Sequence, residues 1–345
     1  MGSTAVVILN YNGIAYLKQF LPSVLAGSGD AQVVVADNRS TDGSAAWLRQ
    51  HHPAVRLIQL DRNEGFSRGY NLALRQVKAR YYVLLNSDVE VTPGWLQPLI
   101  RLMDARPDVA ACQPKIRSFA NKKEFEYAGA AGGYLDRFGY PFCRGRLFNT
   151  LETDGGQYDD DREVDWATGA CMVVRAEVYW RAGGLDDHFF AHMEEIDLCW
   201  RFRSMGHRVM YCGGSTVYHV GGGTLHKVHP RKTFLNFRNG ILLLYKNLPG
   251  RKLWLTLFVR LVLDGVAAFK LLFSAGPAHF GAVLKAHFDF YGRFGLWTKQ
   301  RQATQRISEG SSGSPHFRGS IVWHYFVLKH KHFRKLPTQK FQTVG

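Results

Sequence analysis

Cysteine is scarce in this 345-residue chain and poorly arranged for structural chemistry. The five thiols, Cys112, Cys143, Cys171, Cys199 and Cys212, are odd in number, lack CxxC spacing and sit mostly inside apolar segments. That argues against a disulfide framework and a zinc site and points to a reducing cytosol. No charged stretch precedes an apolar one at the N-terminus, because TAVVILNYN already reads as a strand, so export is not expected. Clean long apolar runs are few: Arg251 to Gly276 is nearly long enough to span a bilayer, yet Arg260, Asp264 and Lys270 interrupt it. Acidic residues are missing from one region only. Through Leu225 there are 24 Lys and Arg against 25 Asp and Glu; from His226 there are 20 against 3, so the last third carries the whole formal charge of +16. Such an imbalance suits nucleic acid or anionic lipid. No nucleic-acid motif is present, however, and basic residues set around long apolar stretches favour lipid.

What is present is alternation. Apolar, β-rich runs at Thr4 to Leu9, Gln32 to Ala36, Val55 to Leu60, Tyr81 to Leu85 and Val109 to Pro114 are separated by helical patterns at about 14–26, 42–51, 66–79 and 93–105. Strands separated by helices imply a mostly parallel sheet covered on both faces. Thr41-Asp42 and Thr92-Pro93 read as helix starts. In such sheets ligands bind beyond the carboxyl ends of the strands. Here those ends are Asn10-Tyr11-Asn12, Asp37-Asn38, Asp61-Arg62-Asn63 and Asn86-Ser87-Asp88, all polar. Asp37, in the turn-rich DNRSTDGS, reads by itself as a turn residue, and Asp42 fits a cap. Gly65 and Gly69 of NEGFSRGYN open a helix, where backbone N–H groups can approach a diphosphate.

Residues 118–165, rich in Gly, Tyr, Phe and Asp, have no clear period and suggest a long irregular segment over the site. A second structured block follows, with strands at Cys171 to Val174, Arg208 to Tyr211 and Thr216 to His219 and a helix at about 194–205 whose Leu198, Phe202 and Met205 face the core. Glu194, Glu195 and Asp197 crowd the first turn of that helix, a placement its dipole favours in any case.

The segments VVILNYNG, VVVADNRSTDGS, NEGFSRGYN, LLNSDVEV, TGACMVVR, HMEEIDLCWR and YHVGGGT together, in this order, resemble family 2 inverting glycosyltransferases of the GT-A fold, above all the bacterial polysaccharide and rhamnosyl-type members. The resemblance covers about residues 4–245. It implies a Rossmann-like α/β domain over 1–245, with a nucleotide half at about 1–117 and an acceptor half at about 118–245. It implies a nucleotide-diphosphate sugar donor, dTDP- or UDP-linked, with Asn10, Tyr11, Asn12, Asp37, Asn63, Gly65, Arg68, Gly69, Asn71, Asn86, Ser87 and Gly169 around it. Asp88 matches the last carboxylate of the family's DXD motif and His219 the histidine that joins its metal shell, so both would hold Mg²⁺ or Mn²⁺; Asn86 replaces the other acid of that motif. Glu195 stands where the family's catalytic base is an aspartate, with Glu194 as its neighbour in contention. The expected acceptor is a saccharide or lipid-linked saccharide of a cell-surface polysaccharide. A polyprenyl-phosphate sugar transferase is the enzyme alternative, and a basic nucleic-acid-binding protein the remote one.

In the basic region, 246–345, Lys252, Thr256, Arg260, Asp264, Lys270 and Ser274 fall within a polar arc of about 120° on a helix, which suits a helix lying in a membrane interface; the alternatives are helices that only pack on the catalytic domain and a true transmembrane span. A second amphipathic stretch, about Phe280 to Trp297, carries Phe288, Phe290, Tyr291, Phe294 and Trp297. The expectation is a cytoplasmic enzyme, peripheral at the inner face of the membrane on anionic lipid, with ISEGSSGSPHFRGS a flexible loop and VLKHKHFRKLPTQK a basic tail.

Overall fold

Alternate residues of β1 (Thr4–Asn10) enter different cores: Ala5 and Val7 join the cluster on one face of the sheet, Val6 and Ile8 that on the other. Strands buried on both faces must be apolar at every position, which explains the unbroken runs. The computed structural model describes residues 3–221, 229–308 and 315–341. After β1 come α1 (Ile14–Gly27), β2 (Gln32–Asp37), α2 (Ser44–His51), β3 (Arg56–Gln59), α3 (Gly65–Leu74), β4 (Tyr81–Asn86), β5 (Val89–Val91), α4 (Leu96–Ala105) and β6 (Val109–Ser118). Four short strands, β7 (Gly133–Leu135), β8 (Pro141–Cys143), β9 (Arg146–Leu147) and β10 (Thr150–Leu151), make a separate antiparallel sheet out of the segment expected to be irregular. Then follow β11 (Arg162–Glu163), β12 (Cys171–Arg175), α5 (Ala176–Arg181), α6 (Glu194–Ser204) and β13 (Arg208–His219).

The main sheet runs β11-β13-β6-β12-β4-β1-β2-β3, with β5 on β13. From β4 to β3 all pairs are parallel; β12 lies antiparallel between β4 and β6. The sheet is therefore mixed and mostly parallel, with helices on both faces. In register, Asn10 stands beside Asp37 and Leu9 beside Asn86, so the polar ends of three strands share one edge.

Three local expectations need correction. The two strands expected at 208–211 and 216–219 are one, with an irregularity between Cys212 and Thr216 that keeps it paired to β6. Helix α4 begins at Leu96, not at Thr92-Pro93, because the Thr92 hydroxyl donates to the Thr216 carbonyl (2.8 Å) and ties the loop to β13. Helix α3 stops at Leu74 rather than 79.

The C-terminal third forms α7 (Pro230–Asn247), α8 (Gly250–Ala275), α9 (Pro277–Gly292) and α10 (Phe294–Arg306). Helix α7 continues through residue 245, where the domain boundary was expected. The polar arc of α8 is turned inward at its centre: Arg260 and Asp264 are buried against the domain. The basic tail is not free either. Phe317 is fully buried, its neighbour Arg318 donates its amide to the Lys340 carbonyl, and Phe333 donates its amide to Glu152. The loop residues 309–314 and the end 342–345 lie outside the described residues.

Candidate active site

The nucleotide end of the sheet is held by a carboxylate and amide network. Asn10 Nδ2 donates to Asp37 Oδ1 (3.2 Å) and to the Ser40 hydroxyl (3.1 Å), and the Ser40 amide donates to Asp37 Oδ2 (3.1 Å). Asn12, at φ 51°, accepts from the Thr41 amide (2.7 Å), while Tyr11 between them is exposed. Asp42 opens two helices at once, accepting from the amides of Ile14 (2.8 Å) and Ser44 (3.0 Å), and these bonds lower its carboxyl against the opposing effect of its partial burial.

The next loop is fixed by Asn38, which sequence reasoning noted only as a strand end. Its Nδ2 donates to Asn63 Oδ1 (3.1 Å) and the Gly65 carbonyl (3.0 Å), and its Oδ1 accepts from the Glu64 amide (2.8 Å). Gly65 adopts φ 74°, a left-handed conformation suited to glycine, and its amide is spent on Asn63 Oδ1 (3.0 Å). At Gly69 a Cβ would stand 3.1 Å from Leu9, so this glycine serves the packing of α3 on β1. The exposed Arg68 pairs with Glu64 (3.0 Å). Asn71 leaves the donor site altogether: its amide bonds Tyr179, both backbone groups of Leu185 and Asp187, so every polar group it has is used inside the fold.

At the end of β4 the Asn86 amide donates to the Ala170 carbonyl (3.0 Å), and Ser87 Oγ comes within 3.3 Å of where a Cβ on Gly13 would stand. Asp88 is buried and faces His219 at the end of β13, Oδ1 to Nε2 3.2 Å; the other ring nitrogen of His219 lies 3.3 Å from Glu126. Burial opposes charge on all three groups, yet their mutual attraction outweighs it: His219 is pushed up to about 10, and Asp88 and Glu126 are held below the usual carboxylate range. Glu126, in the irregular segment, was not foreseen; no spacing in the sequence ties it to a histidine 93 positions later.

The acidic cluster lies beside this edge. A Cβ on Gly169 would sit 3.9 Å from Glu195 Cβ and 3.2 Å from Phe66, and Gly169 is adjacent to the Ala170 that bonds Asn86. Glu195 is half-buried and Glu194 buried, and Oε2 of each finds no hydrogen-bond partner among the described residues. Burial raises both carboxyls, Glu195 to about 7; Glu194, which also faces the charge of Glu195, goes well above its ordinary value. Asp197 is committed elsewhere, to Arg201 (2.9 Å), Lys246 (3.0 Å) and Asn247 (2.9 Å).

The loop into α6 is unusual in backbone. Phe190, His192 and Met193 all have positive φ, 65°, 68° and 73°. Asn239 of α7 secures them, its Nδ2 within hydrogen-bond distance of the carbonyls of Phe189 (3.0 Å), Ala191 (2.9 Å) and His192 (2.7 Å). His192 carries a buried Nε2 without a partner among the described residues and is pushed down to about 4 by burial and by the charge of Lys232. Asn239 and His192 gave no local signal of a role.

The 3.2 Å between Asp88 Oδ1 and His219 Nε2 would fit one hard cation, because adjacent ligands of an octahedral Mg²⁺ about 2.1 Å from the ion stand about 3 Å from each other. A carboxylate behind the imidazole, here Glu126, is the usual outer partner of a metal-bound histidine. Among the described residues no group of three or more His, Cys, Asp or Glu could hold a metal by itself. Remaining ligands would have to come from diphosphate and water. A concavity lined by Ser3, Arg75, Lys78, Arg80 and Trp180 opens at the opposite, amino edge of the sheet and contains none of these groups.

Comparison with known proteins shows the family and the fold. The model of the family described as "Glycosyl transferase family 2" matches residues 5–183. The chain is 27% identical over 241 residues, 65% of its length and 76% of the relative's, to the N-acetylglucosaminyl-diphospho-decaprenol L-rhamnosyltransferase of Mycobacterium tuberculosis. It is 26% identical over 213 residues to the rhamnosyltransferase WbbL of Escherichia coli, covering 60% of this chain and 79% of that one. Among solved structures, a mannosyltransferase of Pyrobaculum calidifontis in complex with GDP-Man and Mn²⁺ is similar over 90% of this chain and 86% of its own, with a TM-score of 0.52 at 16% identity. With the family model covering more than half of its length, the chain belongs to glycosyltransferase family 2 and has the GT-A fold.

Proposed function

We propose that this glycosyltransferase moves a sugar, with inversion, from a nucleoside diphosphate to a hydroxyl of a lipid-linked saccharide in polysaccharide synthesis. The observation that carries the reading is the shared strand edge: the Glu195 carboxyl, whose Oε2 has no hydrogen-bond partner among the described residues, lies against Gly169, whose neighbour Ala170 bonds Asn86 two residues before Asp88, and the same edge carries the Asp88–His219 pair and the Asn10–Asp37 network. The acceptor hydroxyl oxygen bonds the anomeric carbon as the bond from that carbon to the phosphate oxygen breaks; Glu195 takes the hydroxyl proton and the nucleoside diphosphate leaves. Glu195 is favoured over Glu194 as the base because it is less buried and lies against Gly169. Asp37 offers an acceptor for a base N–H. Asp88 and His219, with Glu126 behind, would hold a divalent cation, Mg²⁺ or Mn²⁺, which supplies charge neutralisation for the diphosphate. The lipid-linked acceptor is proposed from the name of the mycobacterial relative. A thermal-shift panel of nucleotide sugars tests the reading, since ligands of the folded state raise its stability. One nucleotide class should raise Tm only with Mn²⁺ or Mg²⁺ present, and Asp88→Ala should abolish that rise. A cation-independent shift that survives Asp88→Ala would refute the metal assignment.

A further inference from the structure

Helix α8 is amphipathic the wrong way round for water. Its inner face buries Leu253 and Ala268 together with Arg260 and Asp264. Arg260 pairs with Asp264 (2.7 Å), donates to the Phe138 carbonyl (3.2 Å) and lies 4.0 Å from the ring of Tyr140, whose hydroxyl also reaches Asp264 (3.0 Å). His287 of α9 closes the set at 3.3 Å from Asp264. The outer face shows Trp254, Phe258, Val262, Val266, Phe269 and Phe273, the last 87% exposed. These recur at three and four and form one stripe, about 28 Å long at 1.5 Å per residue. Phe269 meets Phe280, so α9 runs back alongside and adds Leu284 and Phe288, while Lys270 lies 4.0 Å from the ring of Phe326 and brings in the turn Trp323–Val327. Among the described residues, seventeen of the twenty-one exposed large apolar side chains fall between Trp254 and Leu328. A patch so concentrated marks a contact surface, since scattered apolar residues are normal and a contiguous field is not.

We propose that this face lies in the plane of an anionic bilayer, with the apolar stripe in the acyl boundary and the lysines and arginines around it at the headgroups. Charge selects the occupant. Arg251, Lys252, Lys270, Lys285 and Arg293 are exposed around the patch. The two described acids of the last third are already paired, Asp264 with Arg260 and Asp289 with Arg293 (3.0 Å). A second copy of the chain would bring the same excess of cations to the contact and repel; an anionic lipid surface attracts it. Among the described residues no helix is long and apolar enough to cross a membrane, so the helix rests in the interface.

The inference stands apart from the active-site reading, because donor binding is measured without lipid. The experiment is flotation of the full chain with vesicles of phosphatidylcholine alone and of phosphatidylcholine mixed with phosphatidylglycerol. The wild type should float with the anionic vesicles far more than with the neutral ones. Phe273→Asp with Phe288→Asp should lower that partition roughly tenfold or more, at unchanged Tm and donor affinity. Lys252→Glu with Lys285→Glu, which leaves the apolar stripe intact, should weaken it and flatten its salt dependence. Equal flotation of both double variants and the wild type would overturn the proposal. So would a wild type that ignores phosphatidylglycerol, or one that sediments as a dimer which Phe273→Asp with Phe288→Asp separates while vesicle binding is absent.

Discussion

Glu195 and Glu194 are one position apart and face different surroundings: Glu195 is half-buried and lies against Gly169, and Glu194 is buried in the first turn of α6. In the proposed mechanism Glu195→Gln removes the proton acceptor and keeps the shape, so transfer should fall by about 10² or more while donor affinity, read by calorimetry, stays near the wild-type value. With the Glu195 carboxyl raised to about 7 by burial, the base is in its active form only above that pH. Transfer should therefore fall about tenfold per pH unit below it, and a profile flat from pH 5 to 8 would contradict the assignment. His219 carries a stability signature of opposite use. Its folded-state value is raised, so its contribution is fully present below about 6.5 and is lost as pH rises through about 10. A Tm–pH curve for His219→Asn should lack that loss. Asp37, Asp88, Glu195 and His219 were singled out through the family motifs, and each also ends an apolar run or starts a helix. Glu126 was not, since what makes it matter is a partner, His219, brought close by the fold. Asn71 misled for the same reason in reverse: it stands in a motif, and its bonds run to Tyr179, Leu185 and Asp187.

Among the elements, α7 does most to shape the site while sitting beyond the motifs. Asn239 Nδ2 lies within hydrogen-bond distance of three carbonyls of the loop into α6, and Lys246 and Asn247 hold Asp197 inside α6. Left-handed φ at three residues with side chains is strained, and it persists only where surroundings impose it. Asn239→Ala should cost about 1–3 kcal/mol in urea unfolding, from buried carbonyls left without donors. It should also lower transfer more than donor affinity, because the loop leads directly into Glu195; equal loss of both would mean that the loop serves only stability. Strands β1 to β4 were readable to within a residue because burial on both faces leaves a continuous apolar signal, whereas β6 runs four residues past the expected Pro114. The β7–β10 sheet was not, its strands being two or three residues long, too short for a period. The irregularity in β13 hid one strand as two, since Gly213, Gly214 and Ser215 read as a break.

Across the whole molecule, a nearly neutral catalytic part and a strongly basic helical part are joined through buried polar contacts. The apolar pattern of α8 was plain in the sequence, but its orientation was not. Arg260 and Asp264 read as part of a polar arc, and only their partners Tyr140 and His287 show that this part of the arc faces the protein. Arg260→Ala should cost about 3–5 kcal/mol, because it leaves the Asp264 charge buried without its cation. Arg260→Lys should recover part of that, measured by the same urea titration. Both parts meet at α7, which packs on α6 as well as on α8, α9 and α10, so the chemistry at the sheet edge depends on how the helical part is seated. The central claim is that one edge of the sheet holds donor and base together. Single-turnover transfer by Glu195→Gln, with donor and Mn²⁺ saturating, tests it most directly. The account predicts full donor occupancy and a transfer rate lowered about a hundredfold or more; wild-type turnover by this variant would contradict it.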